Sequence, residues 1–424
     1  MQNNTMQAVQ AAVACDKIQL ENGLTVLVRS MPGYSGVHAI YGTKFGAIDM
    51  EFEVNGKHVT LPAGVAHFLE HKMFESEDGD AFSKYAKTGA SANAYTSFDK
   101  TCYLFTATQQ IDESLDILLG MVNKPYFTEA TIEKEQGIIG QEIKMYDDSP
   151  EWRIMTALFG SLYHNHPIRN DIAGTVESIA QITPEMLYDC CKAFYNPGNM
   201  VLAVAGNITT EQVLAACERA NLPAQPATVK RIQPQEPETV ARERYEFKMQ
   251  LSKPCLGLGF KETPIEGAKA EIICDMLTEL ICGGMTEFYR TLYDQGLVNP
   301  GFGGEFLVLD GCCCFLFTGE TSEPEKVREM LLQRIETLRQ NGVDEEIFTL
   351  CKNQSYGEML QEMENIEDSA TALAGSFFRG RSLTEDIEAL ASLTKEEVDA
   401  ALQGMLQPQR STTVIIWPNK EEDA

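Results

Sequence analysis

No run of 18 or more apolar residues occurs in the 424-residue chain, so no segment reads as a membrane-spanning helix. The opening "MQNNTMQAVQAAVACDK" has no basic stretch followed by an apolar run, and the expectation is an unexported, cytoplasmic protein. Positive charge is also scarce: 34 Lys and Arg stand against 62 Asp and Glu, a formal charge of −28. A nucleic-acid partner needs clustered cations to meet its phosphates, so none is expected; cationic or neutral ligands fit this balance better. The 12 cysteines form no CxxC pair. The adjacent runs Cys190-Cys191 and Cys312-Cys313-Cys314 read instead as buried, reduced thiols. The second half of the chain lacks histidine altogether, since the six are His38, His58, His67, His71, His164 and His166. A histidine-based metal site can therefore sit only in the first half.

The apolar content of 44% and charged content of 23% are those of a globular protein, and the length exceeds what one core organises. Two stretches read alike, "SIAQITPEMLYDCCKAFYNPGNMVLAVAGN" from Ser178 and "ALASLTKEEVDAALQGMLQPQRSTTVIIWP" from Ala389. Thr183 precedes Pro197 by 14 residues, as Thr394 precedes Pro408, and the two units lie 211 residues apart, half the chain. Each reads as a Thr N-cap, an amphipathic helix, a Pro turn and a β-branched strand, which marks a duplicated unit. Proline and glutamine cluster in "NLPAQPATVKRIQPQEPETV", where the apolar periodicity vanishes. The expected division is a domain at 1–225, a linker at 226–244 and a homologous domain at 245–424. Strand-like runs such as "LTVLVRS" and "CCCFLFTGE" mix with helical ones such as "ESLDILLGMVNKP" without strict alternation, so the fold class is α+β.

The chemistry concentrates in "HFLEHKMFE", residues 67–75. The surrounding pattern predicts a helix that opens near Pro62 and stops at Asp78-Gly79. On it His67 and His71 share one face, with Glu70 on nearly the same side. A catalytic zinc takes three protein ligands and a water, and a carboxylate outside that set can take the water's proton. No further His or Asp on this helix shares the face, so the third ligand must come from another element. "EKEQGIIGQEIKMYDD" offers Glu135 and Glu142, stacked two helical turns apart, with Ile138 and Ile139 between them predicting a buried face. A carboxylate there needs a metal or a histidine as partner. "YHNHP", with His164 and His166, reads as a turn and not as a second metal site.

HxxEH followed by two glutamates seven apart resembles the insulinase-like (pitrilysin, inverzincin) zinc metallopeptidases, in the branch of mitochondrial processing peptidase and its bacterial relatives. The resemblance implies two homologous α/β-sandwich halves joined by a linker, together forming half of a clam-shaped chamber. It implies that His67, His71 and Glu142 hold one Zn2+, that Glu70 is the general base, and that Glu135 is a supporting carboxylate beside the site. "GASANAYTSFDKTCYLF", residues 89–105, is similar to the family's edge strand, where Asn93, Ala94 and neighbouring backbone would hold an extended peptide by strand addition. The second half departs from the pattern of self-sufficient members: in "FYRTLYDQGLVNPGF" Tyr293 stands where an Arg is expected and Asn299 where a Tyr is expected, with Arg290 out of register. The expected function is a zinc endopeptidase acting on peptides or unfolded segments, as a homodimer or as the catalytic member of a pair with a metal-free sister. The competing reading is a peptide-binding or scaffold subunit with a vestigial metal site.

Overall fold

The computed structural model describes residues 13–77, 79–223 and 228–419. Most of the opening segment and residues 224–227, at the boundary between the expected first domain and linker, lie outside the described residues. Two sheets organise the chain, and each can be written as a list of strands in spatial order. The first runs Asp16–Gln19, Thr25–Ser30, Met200–Gly206, Val37–Thr43, Thr101–Ala107 and Ser91–Thr96. The second runs Arg244–Met249, Ser411–Pro418, Cys255–Lys261, Cys312–Glu320 and Gly303–Leu309. Without the outermost strand of the first sheet, the two match strand for strand. In each, only the late strand and its early neighbour are parallel, Met200–Gly206 with Thr25–Ser30 and Ser411–Pro418 with Arg244–Met249. All other ladders in both are antiparallel. The halves are therefore a structural duplication in an α+β fold.

The repeated sequence unit takes the same form twice. Thr183 and Thr394 each cap a helix through the side-chain oxygen, accepting from Met186 N and Glu397 N at 3.3 Å. Each helix is followed by a Pro-led 3-10 turn, Pro197–Asn199 or Pro408–Arg410, and then by the parallel strand.

The compact units are not contiguous blocks of sequence. One comprises residues up to 141, 171–232 and 358–384; the other comprises 142–170, 233–357 and 385 onward. In the first, a helix from the second half, Ile366–Arg379, buries Ala370, Leu373 and Ala374 against Leu27, Ile40, Val201 and Ala203. In the second, a helix from the first half, Pro150–Leu162, lies on strand Cys255–Lys261. Glycine makes that approach possible: a Cβ at Gly257 would sit 2.9 Å from Leu158 Cδ1 and 3.0 Å from Ile154 Cγ1. Strands buried along their whole length, such as Val37–Thr43 and Cys255–Lys261, follow from helical cover.

One of the crossings between units falls at Ile232 and Gln233, and the chain there is held down on both sides. Val229–Arg231 pairs with Glu51–Val54 as the third strand of a small sheet. Glu236 accepts the backbone N–H groups of His164, Asn165 and His166 at 2.8, 2.7 and 2.9 Å, and Lys261 Nζ at 2.6 Å. Burial opposes its charge, but the Lys261 ammonium and the three N–H groups outweigh this and hold the carboxyl below its ordinary value. Glu236→Gln is therefore expected to destabilise the fold by about 1–3 kcal/mol near neutral pH. The depressed carboxyl stabilises above the unfolded-state glutamate value near 4.3, and that contribution fades as pH falls towards the folded value. Urea denaturation of wild type and variant from pH 7 downward should show their difference shrinking in acid.

Candidate metal centre

The helix carrying the two histidines, Val65–Lys72 and here α1, is eight residues long, too short to persist on propensity alone. Packing holds it: Val65, Ala66, Phe68 and Leu69 are all buried, and so are His67, Glu70 and Lys72. Its start is fixed by a contact that tolerates no side chain. Gly64 caps it at φ +92°, where an added Cβ would lie 2.6 Å from Ala173 O, and the facing Gly174 at φ +74° would lie 2.5 Å from Ala63 O. It ends at Lys72, short of the expected stop at Asp78-Gly79. The chain turns there because Met73 and Phe74 are buried, Phe74 stacks on Phe82 at 4.4 Å, and Ala81 N bonds Phe74 O. The expected stop residue Asp78 lies outside the described residues.

The imidazoles of His67 and His71 sit side by side, ring centres 4.6 Å apart. The second element is Glu129–Asp147, here α2, which carries both candidate glutamates. Glu135 is buried and its Oε1 lies 3.0 Å from His71 Nδ1. Burial raises the pKa of this carboxyl, but the hydrogen bond and charge of His71, with Lys72 and Lys134 nearby, bring the balance below the ordinary value. An ionised Glu135 accepts from the Nδ1–H of His71 and fixes the tautomer whose Nε2 could ligate a metal. Two turns on, Glu142 closes the group: ligand atoms of His67, His71 and Glu142 all lie within 4.8 Å of one another. The face between them is only half as expected, since Ile139 is buried but Ile138 is exposed. Ile138 falls on the far flank of the stripe formed by Ile132, Glu135 and Ile139.

Glu70 is fixed from the sheet. Thr96, the last residue of edge strand Ser91–Thr96, donates its hydroxyl to Glu70 Oε2 at 2.7 Å. The strand pairs on one side with Thr101–Ala107 and has no partner on the other among the described residues. Asn93 is exposed on it, its Oδ1 accepting from Ala94 N at 2.9 Å, and its described bond is to that neighbour and not to the histidine pair. Sequence reasoning missed Thr96 and Lys72. Lys72 is wholly enclosed, pairing with Glu75 and reaching Thr131 O of α2 at 3.4 Å, so it ties the two helices under the site. Its place beside the motif was the available signal.

Family models match the chain in both halves. Residues 61–176 match the model described as insulinase (peptidase family M16), and 181–355 the one described as the M16 inactive domain. The zinc protease YmfH of Bacillus subtilis (strain 168) is 37% identical over 94% of this chain and 96% of its own. The chain belongs to the insulinase (M16) peptidase family. Among solved structures, an M16-like peptidase from Alicyclobacillus acidocaldarius superposes with a TM-score of 0.92 at 32% identity, over 96% of this chain and 98% of that one. The periplasmic protease PqqL of Escherichia coli shares the fold at 18% identity and a TM-score of 0.76; the match covers 96% of this chain but 48% of PqqL.

Other candidates in this M16 chain lie apart from the triad. His166 caps the 3-10 turn Pro167–Arg169 through Ile168 N, and its Nε2 meets Asp310 O at 2.9 Å, so its ring is a structural fastener. Among the described residues only His67, His71 and Glu142 form a group able to hold a metal. In the second half, Tyr293 and Arg290 are exposed on helix Glu287–Asp294, and Asn299 Nδ2 donates to Glu320 Oε2 at 2.8 Å. No helix among the described residues is long and apolar enough to cross a membrane. Glu135→Gln is expected to lower zinc affinity about 10- to 100-fold by loosening His71, as read by competition with a chromophoric chelator.

Proposed function

We propose that this M16 chain is a zinc-dependent endopeptidase that cleaves peptides or unfolded segments held extended. The observation that carries the reading is the convergence of His67, His71 and Glu142 ligand atoms within 4.8 Å, with Glu70 on the same helix as the histidines. Two imidazoles and one carboxylate are the donor set of a hydrolytic zinc site with an open position, so the residues present fit the ion. Bound there, zinc supplies Lewis-acid polarisation of a carbonyl and a water acidified to a pKa near 7. Glu70, aligned by Thr96, takes the attacking water's proton and returns it to the departing amide nitrogen. Glu135 holds His71 in its ligating tautomer. The open edge of Ser91–Thr96, with Asn93 and Ala94 on it, takes up the substrate backbone as an added strand.

The same reading includes a second chain, a copy of this one or a metal-free sister. Two facts support it: the chain spans about half the length of PqqL, and Tyr293 and Asn299 occupy the places of the expected Arg and Tyr. The 12 cysteines, none in a disulfide, support a reducing compartment such as the cytoplasm. Incubation of the zinc-loaded protein with a mixed peptide library, read by mass spectrometry, tests the activity. Wild type should cleave, Glu70→Gln should lose at least about 100-fold while retaining its zinc, and full activity in that variant would remove Glu70 from its role.

A further inference from the structure

The corner that follows the last candidate ligand is built more carefully than a connecting turn requires. Tyr146 lies one helical turn beyond Glu142 on α2 and donates its hydroxyl to Glu142 Oε1 at 2.5 Å. Its ring stacks on Trp152, centres 4.4 Å apart and planes 14° from parallel. Trp152 belongs to the next helix, Pro150–Leu162, here α3, whose first turn is pinned by the Ser149 cap on Trp152 N. The main chain closes the same corner through Ser149 N to Tyr146 O at 3.1 Å, and Arg153 Nη1 pairs with Asp147 Oδ1 at 2.8 Å.

A carboxylate ligand can bind a metal through either oxygen or both, and the choice sets how tightly the ion is held and how many positions stay open. Here one oxygen of Glu142 is engaged by a phenol whose plane is set by stacking. The other oxygen is thereby turned into a defined direction, and rotation of the carboxylate would break a short hydrogen bond.

We infer that Tyr146, clamped by Trp152, is the positioning residue for Glu142, fixing that ligand for single-oxygen attachment of the metal and linking metal occupancy to the α2–α3 corner. The inference rests on the proposed metal reading. A tyrosine in this place lowers the cost of ordering Glu142 when the ion arrives, and the stacked indole shares in any shift of the carboxylate. The protein therefore carries its own reporter: with Trp417→Phe, Trp152 becomes the sole tryptophan of the two in the chain.

The test uses the metal-free full chain carrying Trp417→Phe, titrated with Zn2+ against a chelator of known affinity while Trp152 emission is followed. The expected result is a saturable emission change at one equivalent, together with about 10- to 100-fold weaker zinc binding in Tyr146→Phe. Cleavage by Tyr146→Phe should return towards the wild-type rate once zinc is saturating, because the phenol acts through the ligand and not on the substrate. Trp152→Leu, which keeps the hydroxyl but removes the stack, should give an intermediate loss of affinity. If the Tyr146→Phe chain binds zinc as tightly as its parent, the positioning role is overturned although the metal site stands. If the parent binds no zinc at all, the metal reading itself has failed.

Discussion

Everything at the site depends on putting charged and metal-seeking groups where water is scarce. α1 is buried on nearly every side, yet it carries two imidazoles, a carboxylate and an ammonium. Burying such groups singly costs several kcal/mol each, so each must have a partner, and the partners dictate the surroundings. Lys72 requires Glu75 and a carbonyl of α2; His71 requires Glu135, also on α2; Glu70 requires the hydroxyl at the end of the edge strand. α2 and the strand are thus held against α1 by the same groups that make the site chemically useful.

The duplication supplies the frame. Two sheets with the same strand order give two similar supports, and each is completed by a helix from the other half of the sequence. The candidate ligands His67, His71 and Glu142 all come from the first half of the sequence. The second half keeps the sheet, the capped helix and the Pro-led turn but has no histidine to offer a metal. Fold and chemistry have separated between the halves, as expected when the frame is maintained by apolar periodicity and caps while the site depends on a few side chains.

Much of this was legible in the sequence for physical reasons. The cap, helix, turn and strand at Thr183 and Thr394 are local signals, and both units form as read. The histidine spacing is local too, and helical geometry alone puts His67 beside His71. Between Glu135 and Glu142 the residues alone did not choose; family resemblance did. Less legible were features set by tertiary packing. α1 stops at Lys72 because Met73 and Phe74 turn into the core, which outweighs the helix-favouring residues around them. Ile138 faces outward although its neighbour Ile139 is enclosed. Thr96 and Tyr146 were invisible as partners of Glu70 and Glu142, because no spacing rule connects residue 96 to residue 70, and a tyrosine four residues after a glutamate is common on any helix. The helix exchange leaves no mark in local periodicity at all.

The central claim is that two imidazoles of α1 and one carboxylate of α2 bind a single zinc ion. Zinc-edge X-ray absorption on the protein loaded with one equivalent tests it most directly, because sulfur neighbours scatter differently from nitrogen or oxygen ones and lie farther from the ion. The account predicts only nitrogen and oxygen neighbours, at about 2.0–2.2 Å, with an imidazole signature that weakens in His67→Ala. A sulfur neighbour at about 2.3 Å would place the ion on cysteine, away from α1, and would contradict the assignment.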